Sequence, residues 1–135
     1  MNIQSRVLIA DDEPTARLLM ASALRNAGFS VVLAVDGEDA LRQFRAHPCD
    51  IVMLDVDMPH LNGFEVCEIL RTQVGNELPI IMVTGMDDLA SIERAYESGA
   101  TDFMSKPINW ATVSHRFEFS VPLFILMWRP CLIRP

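Results

Sequence analysis

Acidic, hydroxyl and amino side chains stand at the ends of four short runs in this sequence, three of them largely apolar. Asp11 and Asp12 follow the run 6–10, Asp55 ends the run 51–55, Thr84 ends 79–84, and Lys106 follows 101–105. A carboxylate can act as a nucleophile or a metal ligand, and a lysine ammonium is a point charge suited to phosphoryl oxygens. Crowded carboxylates repel one another, so a cation must balance them or their pKa values must rise. The pattern indicates a magnesium site with Asp55 as its nucleophile.

The apolar runs have the lengths and residue types of β-strands. Strands are predicted over residues 6–10, 29–35, 51–55, 79–84 and 101–105, and between them apolar residues recur at helical spacing. Alternating strands and helices predict an α/β protein, a three-layer αβα sandwich whose flavodoxin-like sheet has five parallel strands in the order 2-1-3-4-5. Because the carboxyl ends of parallel strands share one edge, this order brings the reactive side chains together.

Turn and capping residues mark the helix ends. Pro14 suits a first helical turn and Asp36 an N-cap, and Asp87 or Asp88 can cap the fourth helix. That helix is predicted to face the core through four apolar side chains, Leu89, Ile92, Ala95 and Tyr96.

Composition limits the possible functions. The chain has 135 residues, half of them hydrophobic, which suits one domain with a proper core. Its net charge of −7 argues against nucleic acid as a direct partner, since phosphate binding needs a basic surface. Three widely spaced cysteines, Cys49, Cys67 and Cys131, indicate neither a disulfide framework nor a zinc site. The N-terminus lacks a secretory pattern, so a cytoplasmic protein is expected.

Four motifs follow one another along the chain. They are Asp11–Asp12, the stretch LDxxMPxxxGFE around Asp55, Thr84, and Lys106–Pro107, and Lys106 is the one lysine of the chain. In this order and approximate spacing, residues 6–115 resemble the receiver domain of two-component response regulators. The resemblance implies the following roles for individual residues.

Asp55 would be the phosphoacceptor for a sensor histidine kinase. Asp11, Asp12 and Asp55 would hold Mg²⁺, and the backbone carbonyl of Asp57 would supply another ligand. Lys106 and Thr84 would contact the phosphoryl group. Such a domain is not an enzyme beyond slow loss of its own phosphoryl group.

The resemblance also implies a conformational switch. Thr84 would move toward the phosphorylated Asp55, and Phe103 would turn inward into the vacated space. Pro107 would follow a cis peptide bond that aims the preceding lysine into the site. The face formed by helix four, strand five and helix five would then change, altering homodimer formation or contacts with an output domain.

Two other functions compete with this interpretation. Asp55-Val-Asp57 also resembles the DxD of haloacid-dehalogenase-type phosphohydrolases, which use an aspartyl phosphate and Mg²⁺. That family places its DxD after the first strand, whereas two strand–helix units precede it here. A degenerate receiver that only binds proteins is disfavoured because no site residue is missing.

The C-terminal segment departs from the receiver pattern. The sequence predicts a receiver over residues 1–116 and an atypical apolar tail over 117–135, with no output domain after it. Prolines at 122, 130 and 135 oppose a regular helix, and the apolar run 123–128 is far short of the ~20 residues that span a bilayer, so no membrane partner is expected. The motif PINW resembles receivers that precede cyclic-di-GMP turnover domains.

Overall fold

A computed structural model describes residues 5–85, 88–106 and 108 of the chain. Strands and helices alternate within this part, each strand but the last followed by a helix. The strands are β1 (Arg6–Ala10), β2 (Ser30–Ala34), β3 (Ile51–Asp55), β4 (Ile80–Thr84) and β5 (Asp102–Ser105). The helices are α1 (Pro14–Asn26), α2 (Gly37–Ala46), α3 (Gly63–Val74) and α4 (Leu89–Glu97). The predicted element order is confirmed, and three of the strands are one or two residues shorter than predicted.

The strands form one parallel sheet in the order β2-β1-β3-β4-β5. Ala10 of β1 pairs with Leu54 of β3, and Asp55 pairs with Val83 of β4. The register therefore ends the three central strands at nearly the same level. The predicted flavodoxin-like topology is confirmed.

Strand residues alternate between two hydrophobic clusters, one on each face of the sheet. The larger cluster joins Leu8, Val52, Leu54 and Met82 to residues of α2, α3 and α4, such as Phe44, Phe64 and Ala95. The smaller cluster joins Ile9, Met53 and Val83 to Met20, Ala21 and Leu24 of α1. Both faces of β3 are buried, as its continuous apolar run predicted.

Polar side chains begin the helices. Pro14 occupies the first turn of α1, as predicted, and the Glu13 carboxylate accepts hydrogen bonds from the backbone N–H groups of Thr15 and Ala16. Asp36 caps α2, as predicted. At α4 the cap is Asp88, while Asp87 lies outside the described residues. These caps satisfy N–H groups that have no partner within their helices.

The predicted inward face of α4 is wrong in part. Ala95 is fully buried and Ile92 is half-buried, but Leu89 is 71% and Tyr96 48% exposed. The four apolar side chains span an arc of about 120° on one side of the helix, and a helix beside the short edge strand β5 buries only a narrower stripe that includes Ala95. The buried face of α4 therefore consists mainly of one small residue, Ala95.

Several predictions lie outside the described residues. They are the cis peptide before Pro107, the fifth helix, and the apolar tail 117–135. Within the described part of the chain, no helix has both the length and the apolar character required to cross a membrane.

Candidate functional site

Three carboxylates meet at the carboxyl edge of the sheet. Asp11 follows β1, Asp12 comes next, and Asp55 ends the neighbouring strand β3. Oxygen atoms of the three side chains all lie within 4.8 Å of one another. Asp11 is 0% and Asp55 4% exposed, whereas Asp12 is open to solvent. The sheet order thus brings together acids that are 44 positions apart in sequence, with one acid facing the solvent.

Lys106 reaches this cluster from the end of β5. Its Nζ lies 3.2 Å from Asp11 Oδ2 and 3.3 Å from Asp55 Oδ1. The backbone N–H of Lys106 donates to the carbonyl of Thr84 over 2.7 Å, which extends the pairing of β4 and β5 by one residue. A continuation of the strand ladder therefore aims the lysine at both buried carboxylates.

The electrostatics of the cluster are unbalanced. Burial, together with the negative charges of Asp11 and Asp12, raises the pKa of Asp55 to about 6 against the opposing effect of Lys106. Burial tends to lower the pKa of Lys106, but attraction from Asp55 and Asp11 outweighs it, so the net shift is upward. One ammonium therefore faces three carboxylates, and an excess of negative charge remains at neutral pH.

This donor set fits a hard divalent cation. Mg²⁺ prefers oxygen ligands and binds through one or two carboxylates while keeping several waters. Asp11, Asp12 and Asp55 supply such oxygens at mutual distances that one ion can bridge, and Asp12 leaves the site open to water. The excess negative charge and the raised pKa of Asp55 give a physical reason for binding.

Asp11 is held at several of its atoms. Its Oδ1 accepts the backbone N–H of Glu13 at 2.9 Å, and its own N–H donates to the Ala34 carbonyl at 3.3 Å. Its carbonyl accepts a hydrogen bond from Arg17 Nη1 at 2.7 Å. Sequence reasoning did not single out Arg17, because a helical arginine has no local sequence signal that reports such a contact.

Gly63 permits a close approach behind Asp55. A Cβ at this position would lie 2.6 Å from the carbonyl oxygen of Asp55, and the Gly63 N–H donates to the Val56 carbonyl over 2.9 Å. A side chain here would have to displace the backbone of Asp55. The glycine of the motif LDxxMPxxxGFE thus has a structural reason that the sequence alone did not show.

The loop between β3 and α3 is tightly folded. The Leu61 N–H donates to the Pro59 carbonyl over 2.9 Å, which makes a γ-turn, and His60 at its centre has a φ of +71°. A Cβ at Gly37 would overlap the carbonyl of Leu61, so the loop packs directly on the start of α2. These contacts restrain the segment that carries Asp57.

The remaining predicted site residues lie as follows. Thr84 is buried at the end of β4, one strand away from Asp55. Asp57 is exposed, and its side chain is not part of the three-carboxylate group. Phe103 is half-buried and packs against the larger hydrophobic cluster. Pro107 lies outside the described residues.

Comparisons with known proteins agree with this architecture. A family model described as "Response regulator receiver domain" matches residues 7–118. The probable transcriptional regulator ycf27 of Cyanidium caldarium is 39% identical over 115 residues, which are 85% of this chain and 45% of that protein. The DNA-binding response regulator MtrA of Mycolicibacterium smegmatis is 36% identical over 105 residues, which are 78% of this chain and 45% of that protein. The chain spans less than half the length of these relatives.

A solved structure shows the same fold. The chemotaxis protein CheY4 of Vibrio cholerae superposes with a TM-score of 0.81 at 30% identity, covering 86% of this chain and 98% of that one. The hydrolase alternative loses its basis, because Asp55 ends the third strand and the family match runs across the whole described fold. Sheet order, site geometry and sequence similarity together establish that this chain belongs to the response regulator receiver domain family.

Proposed function

We propose that Asp55 accepts a phosphoryl group from the phosphohistidine of a sensor histidine kinase in a Mg²⁺-dependent reaction. The observation that carries the proposal is the position of the Asp55 carboxylate. It is buried at the end of β3, shares a site with Asp11 and Asp12, and lies 3.3 Å from Lys106 Nζ. An acid placed in this way has a neighbouring cation and neighbouring oxygen ligands.

The reaction requires positioning and charge neutralisation more than covalent assistance. A carboxylate oxygen of Asp55 forms the new O–P bond while the P–N bond of the phosphohistidine breaks, and the imidazole nitrogen keeps the electron pair. With a pKa of about 6, Asp55 is mostly ionised at neutral pH and ready to attack. Lys106, already between Asp55 and Asp11, supplies positive charge to the phosphoryl oxygens.

The metal would be held by four residues of this site. Asp11, Asp12 and Asp55 would hold it through carboxylate oxygens, directly or through water, and Asp57 would hold it through its backbone carbonyl. Bound Mg²⁺ supplies the positive charge that offsets the equatorial oxygens of the phosphoryl group. The exposed position of the Asp57 side chain agrees with a role for its carbonyl, since the cluster of side-chain oxygens does not include it.

Phosphorylation is then reported by Thr84 and Phe103. Thr84 donates a hydrogen bond to the phosphoryl group, and Phe103 turns further into the core, with a cis bond before Pro107 maintaining the direction of Lys106. The small buried face of α4 supports this proposal, because a helix with few buried apolar contacts can move at a low cost in free energy. The face formed by α4, β5 and the fifth helix would carry the change to a homodimer partner or an output domain.

The whole protein would act as a cytoplasmic transcriptional regulator. The relatives ycf27 and MtrA are named as transcriptional or DNA-binding proteins, which favours such an output over a cyclic-di-GMP turnover domain. The net charge of −7 supports a receiver that does not itself contact nucleic acid. We assign residues 1–116 to the receiver and 117–135 to a separate tail, and we expect only slow loss of the phosphoryl group.

Incubation with acetyl phosphate and Mg²⁺, followed by intact mass measurement, tests the proposal. The parent chain should gain one acid-labile phosphoryl group, Asp55→Asn should gain none, and the exposed control Glu68→Gln should label like the parent. Equal labelling of Asp55→Asn would contradict the proposal. A parent chain that binds Mg²⁺ without labelling would indicate the degenerate receiver instead, and rapid repeated turnover of phosphomonoesters would indicate an enzyme.

A further inference from the structure

We propose that Arg17 is a positioning residue for Asp12: it holds the peptide plane between Asp11 and Asp12 in the orientation that presents Asp12 to Mg²⁺. The inference rests on the proposed function, because it concerns the same metal site. It assigns to the second turn of α1 a role in the site that none of the site's own carboxylates can fill.

The carbonyl of Asp11 lies beyond the end of the strand ladder. β1 ends at Ala10 and β2 at Ala34, and the N–H of Asp11 makes the last contact between them, to the Ala34 carbonyl at 3.3 Å. Asp11 is 0% exposed, so its carbonyl is out of reach of bulk water and needs a donor from the protein. The structure shows that donor to be Arg17 Nη1, at 2.7 Å.

The consequence of this hydrogen bond falls on Asp12. A peptide unit is planar, so fixing the Asp11 carbonyl also fixes the Asp12 N–H and the direction in which the chain continues. The carboxylate of Asp11 has separate restraints, the Glu13 N–H at 2.9 Å and Lys106 Nζ at 3.2 Å. The exposed Asp12 has no such side-chain restraint among the contacts of the described residues, and its backbone is what sets its place.

Arg17 reaches back from a rigid support. The start of α1 is closed by Glu13, whose Oε2 accepts the Ala16 N–H at 2.6 Å and whose carbonyl accepts the Arg17 N–H at 3.0 Å. The guanidinium is planar and carries its donors in a fixed fork, so it can hold a carbonyl in one direction better than a lysine ammonium can. The half-buried side chain of Arg17 therefore ties the helix to the turn that bears the acids.

Charge and position make opposite predictions for a variant at this residue. Removing a cation beside an acidic metal site should tighten Mg²⁺ binding if only Coulomb attraction counts. Losing the positioning hydrogen bond should weaken binding, because partners that orient metal ligands typically contribute about 10-fold or more to affinity. The direction of the change in the Mg²⁺ dissociation constant therefore separates the two effects.

The test uses the full chain and three variants, Arg17→Met, Arg17→Lys and Arg25→Met. Arg25 is exposed in the last turn of the same helix and serves as the matched control. Mg²⁺ titrations followed by amide NMR should show about 10-fold weaker binding for Arg17→Met, an intermediate value for Arg17→Lys, and a value within about twofold of the parent for Arg25→Met. Without metal, the Asp12 amide signal of Arg17→Met should differ in chemical shift from that of the parent. At saturating Mg²⁺, Arg17→Met should bind beryllofluoride as the parent does.

The possible contrary results are distinct. Unchanged or tighter Mg²⁺ binding by folded Arg17→Met would overturn the inference and leave the proposed function standing. If Arg17→Met fails to fold, Arg17→Lys decides the matter, and a parent-like dissociation constant together with a parent-like Asp12 amide would overturn the inference. A parent chain that binds no Mg²⁺ would overturn both proposals.

Discussion

The two edges of the sheet differ in the partners that surround their buried charged side chains. At the amino edge, the half-buried Arg71 donates to the carbonyls of Gly75, Leu78 and Gly99 at 3.2, 2.6 and 2.8 Å and to Thr101 Oγ1 at 3.2 Å. At the carboxyl edge, one lysine faces three carboxylates. The first arrangement matches a cation to neutral acceptors, and in the second, among the described residues, three carboxylates outnumber the two nearby cations, Lys106 and Arg17.

The difference separates a structural contact from a reactive one. Arg71 links the end of α3 to the starts of β4 and β5, and every acceptor it uses belongs to the chain itself. Burial lowers the pKa of Arg71, but an arginine stays protonated in proteins, so this contact does not switch with pH. Asp55, by contrast, has a pKa of about 6 and changes its charge near neutrality. An edge at which the described carboxylates outnumber the described cations is suited to binding a further cation.

The largest effect is expected from a substitution at the amino edge of the sheet. Arg71→Met would leave the part-buried carbonyls of Leu78 and Gly99 without this donor and should lower the free energy of unfolding by about 3 kcal/mol. Urea denaturation with an unchanged m-value measures the loss, and Arg71→Lys should recover only part of it. Because the two edges lie far apart, the folded variant should still label on Asp55 at about the parent rate. A loss under about 1 kcal/mol would contradict the structural assignment.

A smaller effect is expected from a substitution at the carboxyl edge, which should change both the stability of the fold and the rate of labelling. Gly63→Ala places a Cβ 2.6 Å from the Asp55 carbonyl oxygen, which should cost about 2 kcal/mol of stability and slow labelling by acetyl phosphate. The matched control is Gly85→Ala, where a Cβ meets nothing within 4 Å and little change is expected. Thermal unfolding and labelling rates measure the pair, and equal behaviour of the two variants would disprove the close contact.

The smallest effect is a gain in stability. Burial and the neighbouring acids raise the pKa of Asp55 from 3.8 to about 6, so the folded state keeps a proton that the unfolded state has lost between these pH values. Ionisation of Asp55 therefore costs stability as pH rises through 6. Asp55→Asn should stabilise the metal-free chain by about 1–2 kcal/mol at pH 7.5, and the gain should vanish below about pH 4.

Asp39 provides the control of opposite sign. Burial tends to raise its pKa, but hydrogen bonds from the Val35 N–H, Gln43 and Arg42 outweigh burial, and the net shift is downward. Its ionised form therefore adds stability that is present above its unfolded pKa and is lost as pH falls. Asp39→Asn should destabilise the chain at pH 7.5. Chemical denaturation of both variants across pH measures the contrast, and shifts of the same sign would refute it.

Periodicity and element order were enough to predict most of the fold. The buried run that ends at Asp55, the alternation of strands with helices, and the rules for right-handed crossovers led to the observed sheet order, since local patterning and chain connectivity leave few alternatives. The same order predicted that Asp11, Asp12, Asp55 and Lys106 would lie together, and the structure places them so. Their chemical roles remain proposals.

Contacts between segments that are distant in the sequence could not be predicted from it. The face of α4 was wrong for Leu89 and Tyr96, because a 3.6-residue pattern shows where apolar residues recur but not how much of them a short edge strand can cover. The hydrogen bonds of Arg71 span up to 30 positions and have no local signature.

The sequence alone therefore determined the topology and the set of acids, one threonine and one lysine at the carboxyl edge. Only the tertiary structure decided which groups hold that set in place. The Arg17 hydrogen bond and the close approach of Gly63 depend on ångström-scale packing between elements. Packing of that kind arises from side-chain volumes and directions in three dimensions, which spacing along the chain does not encode.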